Sequence, residues 1–199
     1  MDAQRSALMI VDMLNPYEHE DADDLTPSVE RAVGNIRDLI SRAREEGVKI
    51  IYVNDNYGHW TSLREELVEA ACQGARPDLV ELIVPEEGTA FVIKARHSIF
   101  YGTPLEYLLG QEGIDHLVLA GQVTEQCILY SALDAYVRHH HVTVPRRRRR
   151  PHRRASGRCR AGHDGAQHGG RDLARGARWF PGRSARVDRE DRTIWPTSR

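Results

Sequence analysis

Short apolar runs that end in a polar residue alternate with segments of helical period through residue 144. That alternation decides the fold class. "ALMIVDM" at 7–13 is a continuous apolar run closed by an acid, the pattern of a central strand buried on both faces. "VKIIYVND" (48–55), "AFVIK" (90–94), "HLVLAG" (116–121) and "VTV" (142–144) read as further strands. Between the first two, Val29, Ala32, Val33, Ile36, Leu39, Ile40 and Ala43 recur at helical spacing. Thr26 and Pro27 open that helix as a hydroxyl N-cap followed by proline at the first helical position, and Gly47 ends it. "SLREELVEAAC" (62–72), "PLEYLLGQEG" after Thr103 and "TEQCILYSALDAYVRHH" (124–140) are the other helices. Such alternation implies βαβ units with right-handed crossovers, hence an α/β fold of three layers, α/β/α, around a mostly parallel, doubly wound sheet. Ligands of such sheets bind outside the carboxyl ends of the strands, so the residues there are the first to inspect.

The 199 residues suit one domain with a sizeable core. Charge is unevenly spread. Residues 1–144 hold 11 basic and 24 acidic side chains, net −13, and residues 145–199 hold 17 and 5, net +12. No apolar run reaches the length of a membrane span, and the N-terminus lacks the basic and apolar regions of a secretory signal. Cys72, Cys127 and Cys159 are odd in number, widely spaced and contain no CxxC pair, which fits thiols in a reducing cytoplasm.

Three polar residues stand at or just past strand ends. Asp12 closes the first strand, Lys94 closes "FVIK", and Cys127 follows "LVLAG" in the first turn of the next helix. Singly, each has an ordinary reading as a loop acid, a solvated lysine and a core cysteine. Together they fit nucleophilic catalysis. The thiolate is the nucleophile, and an ammonium and a helix N-terminus both favour it. A carboxylate can take the thiol proton and return it to a leaving amine. Lys94 is one of only two lysines, against 26 arginines.

"ALMIVDM", "FVIKARHSIFYGTPLE" and "LVLAGQVTEQCILYSALDAYVRHHHVTVP" resemble the isochorismatase-like cysteine hydrolases, the superfamily that includes nicotinamidase and N-carbamoylsarcosine amidase. The resemblance spans roughly residues 6–145, and G-x-x-T-x-x-C, from Gly121 to Cys127, is its most specific part. It implies a catalytic triad of Asp12, Lys94 and Cys127. It also implies a non-proline cis peptide at Gln122-Val123, which would turn the backbone N–H groups of Val123 and Cys127 toward an oxyanion. The implied reaction is hydrolysis of a C–N bond in a small amide or ureido substrate through a thioester. Vinyl-ether-cleaving isochorismatases lack the cysteine, so Cys127 favours the amide chemistry. No cofactor is implied. The metal site of nicotinamidases is not reproduced in "YVNDNYGHW" (52–60), where Asp55 and His59 lack the D-x-H…H spacing, so no metal is expected. Asn54, Tyr57, Trp60, His97 and Tyr101 are the candidate substrate-binding residues, against the alternative that several only pack or face water. The run His139, His140, His141 cannot share one face of an element, so it reads as a bridge from helix end to strand rather than a metal tract.

The resemblance stops where "PRRRRRPHRR" (145–154) begins. The domain division is therefore a hydrolase domain at 1–145 and an Arg/Gly-rich tail at 146–199 without apolar periodicity. The tail is either a disordered basic arm or the product of a shifted reading frame, and the genetic code, with arginine taken as CGN, accommodates the second. Moved one base forward, successive CGN arginine codons become GNC and encode Asp, Ala, Val or Gly. "GHDGAQH" (162–168) can then encode x-Met-Met-x-Arg-Asn-Met, although the AYG codons also allow Thr. The shifted frame can thus spell an acidic and apolar loop entering an amphipathic helix, similar to what the family has there. On this reading the C-terminal part of the fold is missing or scrambled, and stability, assembly into the expected homo-oligomer and activity all suffer.

Three functions follow. The first is a cytoplasmic cysteine amidohydrolase. The second is an impaired remnant of that fold. The third, resting on arginine density alone, is sequence-independent and salt-sensitive nucleic-acid binding, without the aromatic interleaving or reader motif that specific binding needs. The expected partner is therefore a small amide or ureido molecule, with no specific nucleic acid and no membrane.

Overall fold

The structure is a computed structural model and describes residues 3–60 and 62–145. The expectations for the tail at 146–199 lie outside the described residues. Five strands, β1 (Ser6–Val11), β2 (Lys49–Asp55), β3 (Ala90–Lys94), β4 (His116–Gly121) and β5 (His141–Thr143), form one sheet in the order β3-β2-β1-β4-β5. Every pair is parallel, so the sheet is wholly parallel among the described residues. The helices are α1 (Ala22–Glu45), α2 (Arg64–Gln73), α3 (Pro77–Val80), α4 (Leu105–Gln111) and α5 (Leu129–Val137). None of the described helices is long and apolar enough to cross a membrane.

The unbroken apolar run of β1 is explained by burial on both faces. Side chains alternate along a strand. Leu8 and Ile10 join Val29, Val33, Ile36 and Ile40 of α1 in one core cluster. Ala7, Met9 and Val11 join Ile99, Leu105, Leu109 and Ile128 in the other. The chain winds leftward from β1 through β2 to β3, then crosses to β4 and β5. The direction of winding therefore reverses between β1 and β4, which places the crevice of such a sheet at their carboxyl ends.

Two helices differ most from the sequence reading. The first helix starts at Ala22 rather than at Thr26. Ala22 N–H donates to His19 O (3.0 Å) and Leu25 N–H to Asp21 O (3.1 Å), which builds an extra turn ahead of the proline. Pro27 then lies inside the helix, and Thr26 Oγ1 donates back to Ala22 O (2.6 Å) instead of capping. Asp23 and Asp24 in that first turn complement the positive end of the helix dipole. The helix read at 124–140 is a π-helical turn, Thr124–Ile128, followed by α5, which ends at Val137. His139 takes a left-handed conformation (φ 64°) and His141 opens β5. The three histidines thus bridge the helix to the strand.

Candidate active site

The carboxyl ends of β1, β2 and β3 bring three charged residues to one level. Asp12 follows β1 with φ 53°. Its N–H donates to Val53 O (3.0 Å), and its Oδ1 accepts the Asp55 N–H (2.7 Å), so β2 fixes the carboxylate from below. Asp55 and Lys94 are register partners in the parallel pair β2–β3. Lys94 Nζ then reaches back over β2 to Asp12 Oδ2 at 2.8 Å, with Asp55 Oδ2 at 3.3 Å.

From the other side of the crevice comes the turn after β4. Gly121 sits at φ 147°, and a Cβ there would lie 2.0 Å from Val11 O, so only glycine lets β4 pass β1 at this point. Gln122 N–H donates to that same Val11 O (3.0 Å), and Gln122 Nε2 donates to Asp12 O (2.6 Å). The Gln122-Val123 peptide is cis. Val123 O accepts the N–H groups of Gln126 (3.1 Å) and Ile128 (3.2 Å), passing over the Cys127 N–H between them. Cys127 Sγ lies 3.6 Å from Lys94 Nζ. The buried Ser131 hydroxyl donates to Cys127 O and accepts the Ile99 N–H (3.1 Å), tying the turn that carries Cys127 to the loop that follows Lys94.

The three side chains are buried, and that sets their protonation. Burial raises the Asp12 carboxyl, against the opposing pull of Lys94. Burial alone would lower the Lys94 ammonium, yet the Asp12 carboxylate and the other facing groups hold it above its usual value. Burial and the Asp12 charge push the Cys127 thiol up to about 12, against Lys94. The expectation of a thiol lowered by the ammonium and the helix N-terminus is therefore corrected. Burial first and the Asp12 carboxylate second outweigh the pull of the ammonium, which favours a neutral thiol beside the ion pair.

The five candidate substrate-binding residues part company. Asn54 is buried, its Oδ1 accepting the Leu14 N–H (3.0 Å) and its Nδ2 donating to Leu14 O (3.1 Å). It clamps the loop after Asp12 with both ends of its amide. Tyr57 donates its hydroxyl to Leu14 O (2.9 Å), and burial first, then the Asp12 charge, raises that hydroxyl. His97 is exposed and packs against the Tyr130 ring at 5.3 Å. Trp60 and Tyr101 are largely exposed. A cavity of about 600 Å³ borders Met13, Gln122, Val123 and Glu125, but no triad side chain lines it. Among the described residues no three His, Cys, Asp or Glu side chains gather as a metal site.

Asp55 stands beside Lys94 without being one of the catalytic candidates read from the sequence. The sequence presents it only as a candidate metal ligand. The available signal was positional, because Asp55 closes β2 as Lys94 closes β3.

The isochorismatase domain model matches residues 6–147. The chain is 34% identical over 146 residues to YaaI, an isochorismatase family protein of Bacillus subtilis (strain 168), covering 73% of this chain and 81% of that one. It is 30% identical over 143 residues to the maleamate amidohydrolase of Pseudomonas putida, covering 66% of each. The crystal structure of N-carbamoylsarcosine amidase from Thermoplasma acidophilum superposes with a TM-score of 0.56 at 29% identity, covering 70% of this chain and 80% of that one. On a match that spans the whole described sheet, the chain belongs to the isochorismatase family.

Proposed function

We propose that the chain is a cysteine-dependent amidohydrolase that cleaves the C–N bond of a small amide or ureido compound. The observation that carries this reading is the contact chain Asp12–Lys94–Cys127, 2.8 Å and then 3.6 Å, at the carboxyl ends of the strands. The amide and ureido substrate classes come from the maleamate amidohydrolase and the N-carbamoylsarcosine amidase it resembles.

The mechanism follows from the resting charges. As Sγ forms its bond to the substrate carbonyl carbon, the thiol proton passes to Asp12, so no free thiolate need accumulate. Lys94 stabilises the sulfur's developing charge. The N–H groups of Val123 and Cys127 receive the oxyanion. Asp12 returns its proton to the departing ammonia or amine as the C–N bond breaks, leaving a thioester. Water, deprotonated by Asp12, attacks that thioester, and the proton goes back to sulfur as the acid leaves.

The test is ammonia release from a panel containing maleamate, N-carbamoylsarcosine and nicotinamide, by the protein and by Cys127→Ala. Turnover that vanishes in the variant, with an acyl adduct on Cys127 by mass spectrometry, supports the reading. Turnover that survives the substitution overturns it.

A further inference from the structure

Lys94 Nζ faces three groups: Asp12 from the loop after β1, Asp55 from the end of β2, and Cys127 from the π-helical turn. The mechanism above uses two of them. In that mechanism Asp12 becomes neutral when it takes the thiol proton, and the sulfur loses its charge to the carbonyl oxygen. Lys94 has no solvent exposure, so at that moment it would be a buried cation without its counterion. A buried ammonium in that position tends to lose its proton. Asp55 is the one facing group that never reacts.

We propose that Asp55 is a positioning residue for this chemistry: it holds the Lys94 ammonium in place, as a cation, while Asp12 carries the proton. This rests on the amidohydrolase reading. The geometry suits the task. Asp55 Oδ2 lies 3.3 Å from Nζ, and its Oδ1 is anchored by the Tyr57 N–H at 2.8 Å. Its own N–H fixes Asp12 Oδ1 at 2.7 Å, so one residue orients both members of the ion pair. Tyr57, the other titratable group beside these carboxylates, is turned to Leu14 O and stays neutral. The side chain of Asp55 is partly open to solvent, whereas those of Asp12 and Lys94 are buried.

The experiment separates charge from structure. Asp55→Asn keeps an acceptor for the Tyr57 N–H and the backbone N–H used by Asp12, but removes the charge. Asp55→Glu restores the charge, and Asp55→Ser replaces Asp55→Asn should the latter fail to fold. The chain has two lysines, Lys49 and Lys94, so labelled lysine gives two assignable NMR signals for the Nζ titration without any substrate. The expected result in Asp55→Asn is a Lys94 midpoint lower by about one pH unit or more. The alkaline limb of the kcat/KM profile should move down with it, with kcat falling more than KM changes, and Asp55→Glu should restore both. An unchanged midpoint and an unchanged alkaline limb in Asp55→Asn overturn the proposal. Absent turnover in the parent protein with a lowered Lys94 midpoint would overturn the amidohydrolase reading and leave Asp55's hold on Lys94 supported.

Discussion

The ammonium of Lys94 lies 2.8 Å from a carboxylate oxygen of Asp12, and its side chain has no exposure to solvent. Such a pair has a net worth near zero against a well-packed apolar replacement, but breaking it leaves an uncompensated charge and costs about 3–5 kcal/mol. Lys94→Met should lose about that much in urea unfolding at pH 7 and lose turnover as well. The deficit should shrink as pH falls, because protonating the orphaned Asp12 removes the stranded charge. The pair Asp12→Asn with Lys94→Met should recover most of the stability and none of the activity. A single variant as stable as the parent would mean that water reaches this ion pair.

Cys127 should be a slow nucleophile until substrate arrives. Its thiol is pushed up to about 12, by burial first and by the Asp12 carboxylate second. Iodoacetamide should therefore alkylate it at pH 8 more slowly than a free cysteine, with the rate still climbing at the highest pH the fold tolerates. Asp12→Asn removes the charge and the hydrogen bond that raise the thiol. It should alkylate faster at pH 8 than the parent while failing to turn over amide. Peptide mapping of the adduct separates Cys127 from the other cysteines. Fast alkylation of the parent and no gain in the variant would contradict the assigned resting state.

The part of this site that was legible in the sequence was the part fixed by strand ends. Asp12 and Lys94 each close an apolar run, and Cys127 follows one, so a parallel sheet alone is enough to bring them to one edge. The thiol's direction was not legible, because it depends on how deeply Asp12 and Cys127 are buried together. Asp55 stands at the same level as Lys94, yet a one-dimensional reading tests it against sequence spacings, and its role depends on register across β2 and β3. The start of α1 lies one turn ahead of its sequence signal for a local reason. Thr26 followed by Pro27 has the form of a cap, but the carbonyls of His19 and Asp21 take the first N–H groups one turn earlier. The short α3 carries too few residues for a period to appear.

His116 should set the acid limit of the fold. It is buried in β4, with Nδ1 3.3 Å from Ser6 Oγ and Nε2 2.9 Å from Thr143 Oγ1, so one imidazole links β1, β4 and β5. Burial first, and His141 second, lower it from 6.5 to about 4. The unfolded chain therefore binds a proton that the folded chain refuses. Stability is full above the unfolded value and is lost as pH falls from about 6.5 toward 4, by roughly 3 kcal/mol at most. His116→Gln can still hydrogen-bond to the two hydroxyls and cannot take the charge. Denaturant midpoints measured across that pH range should fall in the parent and stay flatter in the variant.

Gly121→Ala should damage both the fold and the site, and the reason lies in one close approach. The glycine stands at φ 147°, a conformation that a side chain strains, and an added Cβ would meet Val11 O at 2.0 Å. No rotamer can relieve a clash that involves Cβ itself, so β4 or β1 must move. The next residue, Gln122, uses its N–H to hold Val11 O and its side chain to hold Asp12 O, so the shift passes directly to Asp12 and to the turn that carries Cys127. The expected cost is several kcal/mol, on the order of the largest single-residue effects. Turnover should fall further than the folded fraction does, because the contact between Lys94 and Cys127 depends on that turn. Thermal unfolding and kcat on the same samples separate the two effects. An alanine variant of parental stability and activity would show that β1 and β4 tolerate a wider separation than this structure gives them.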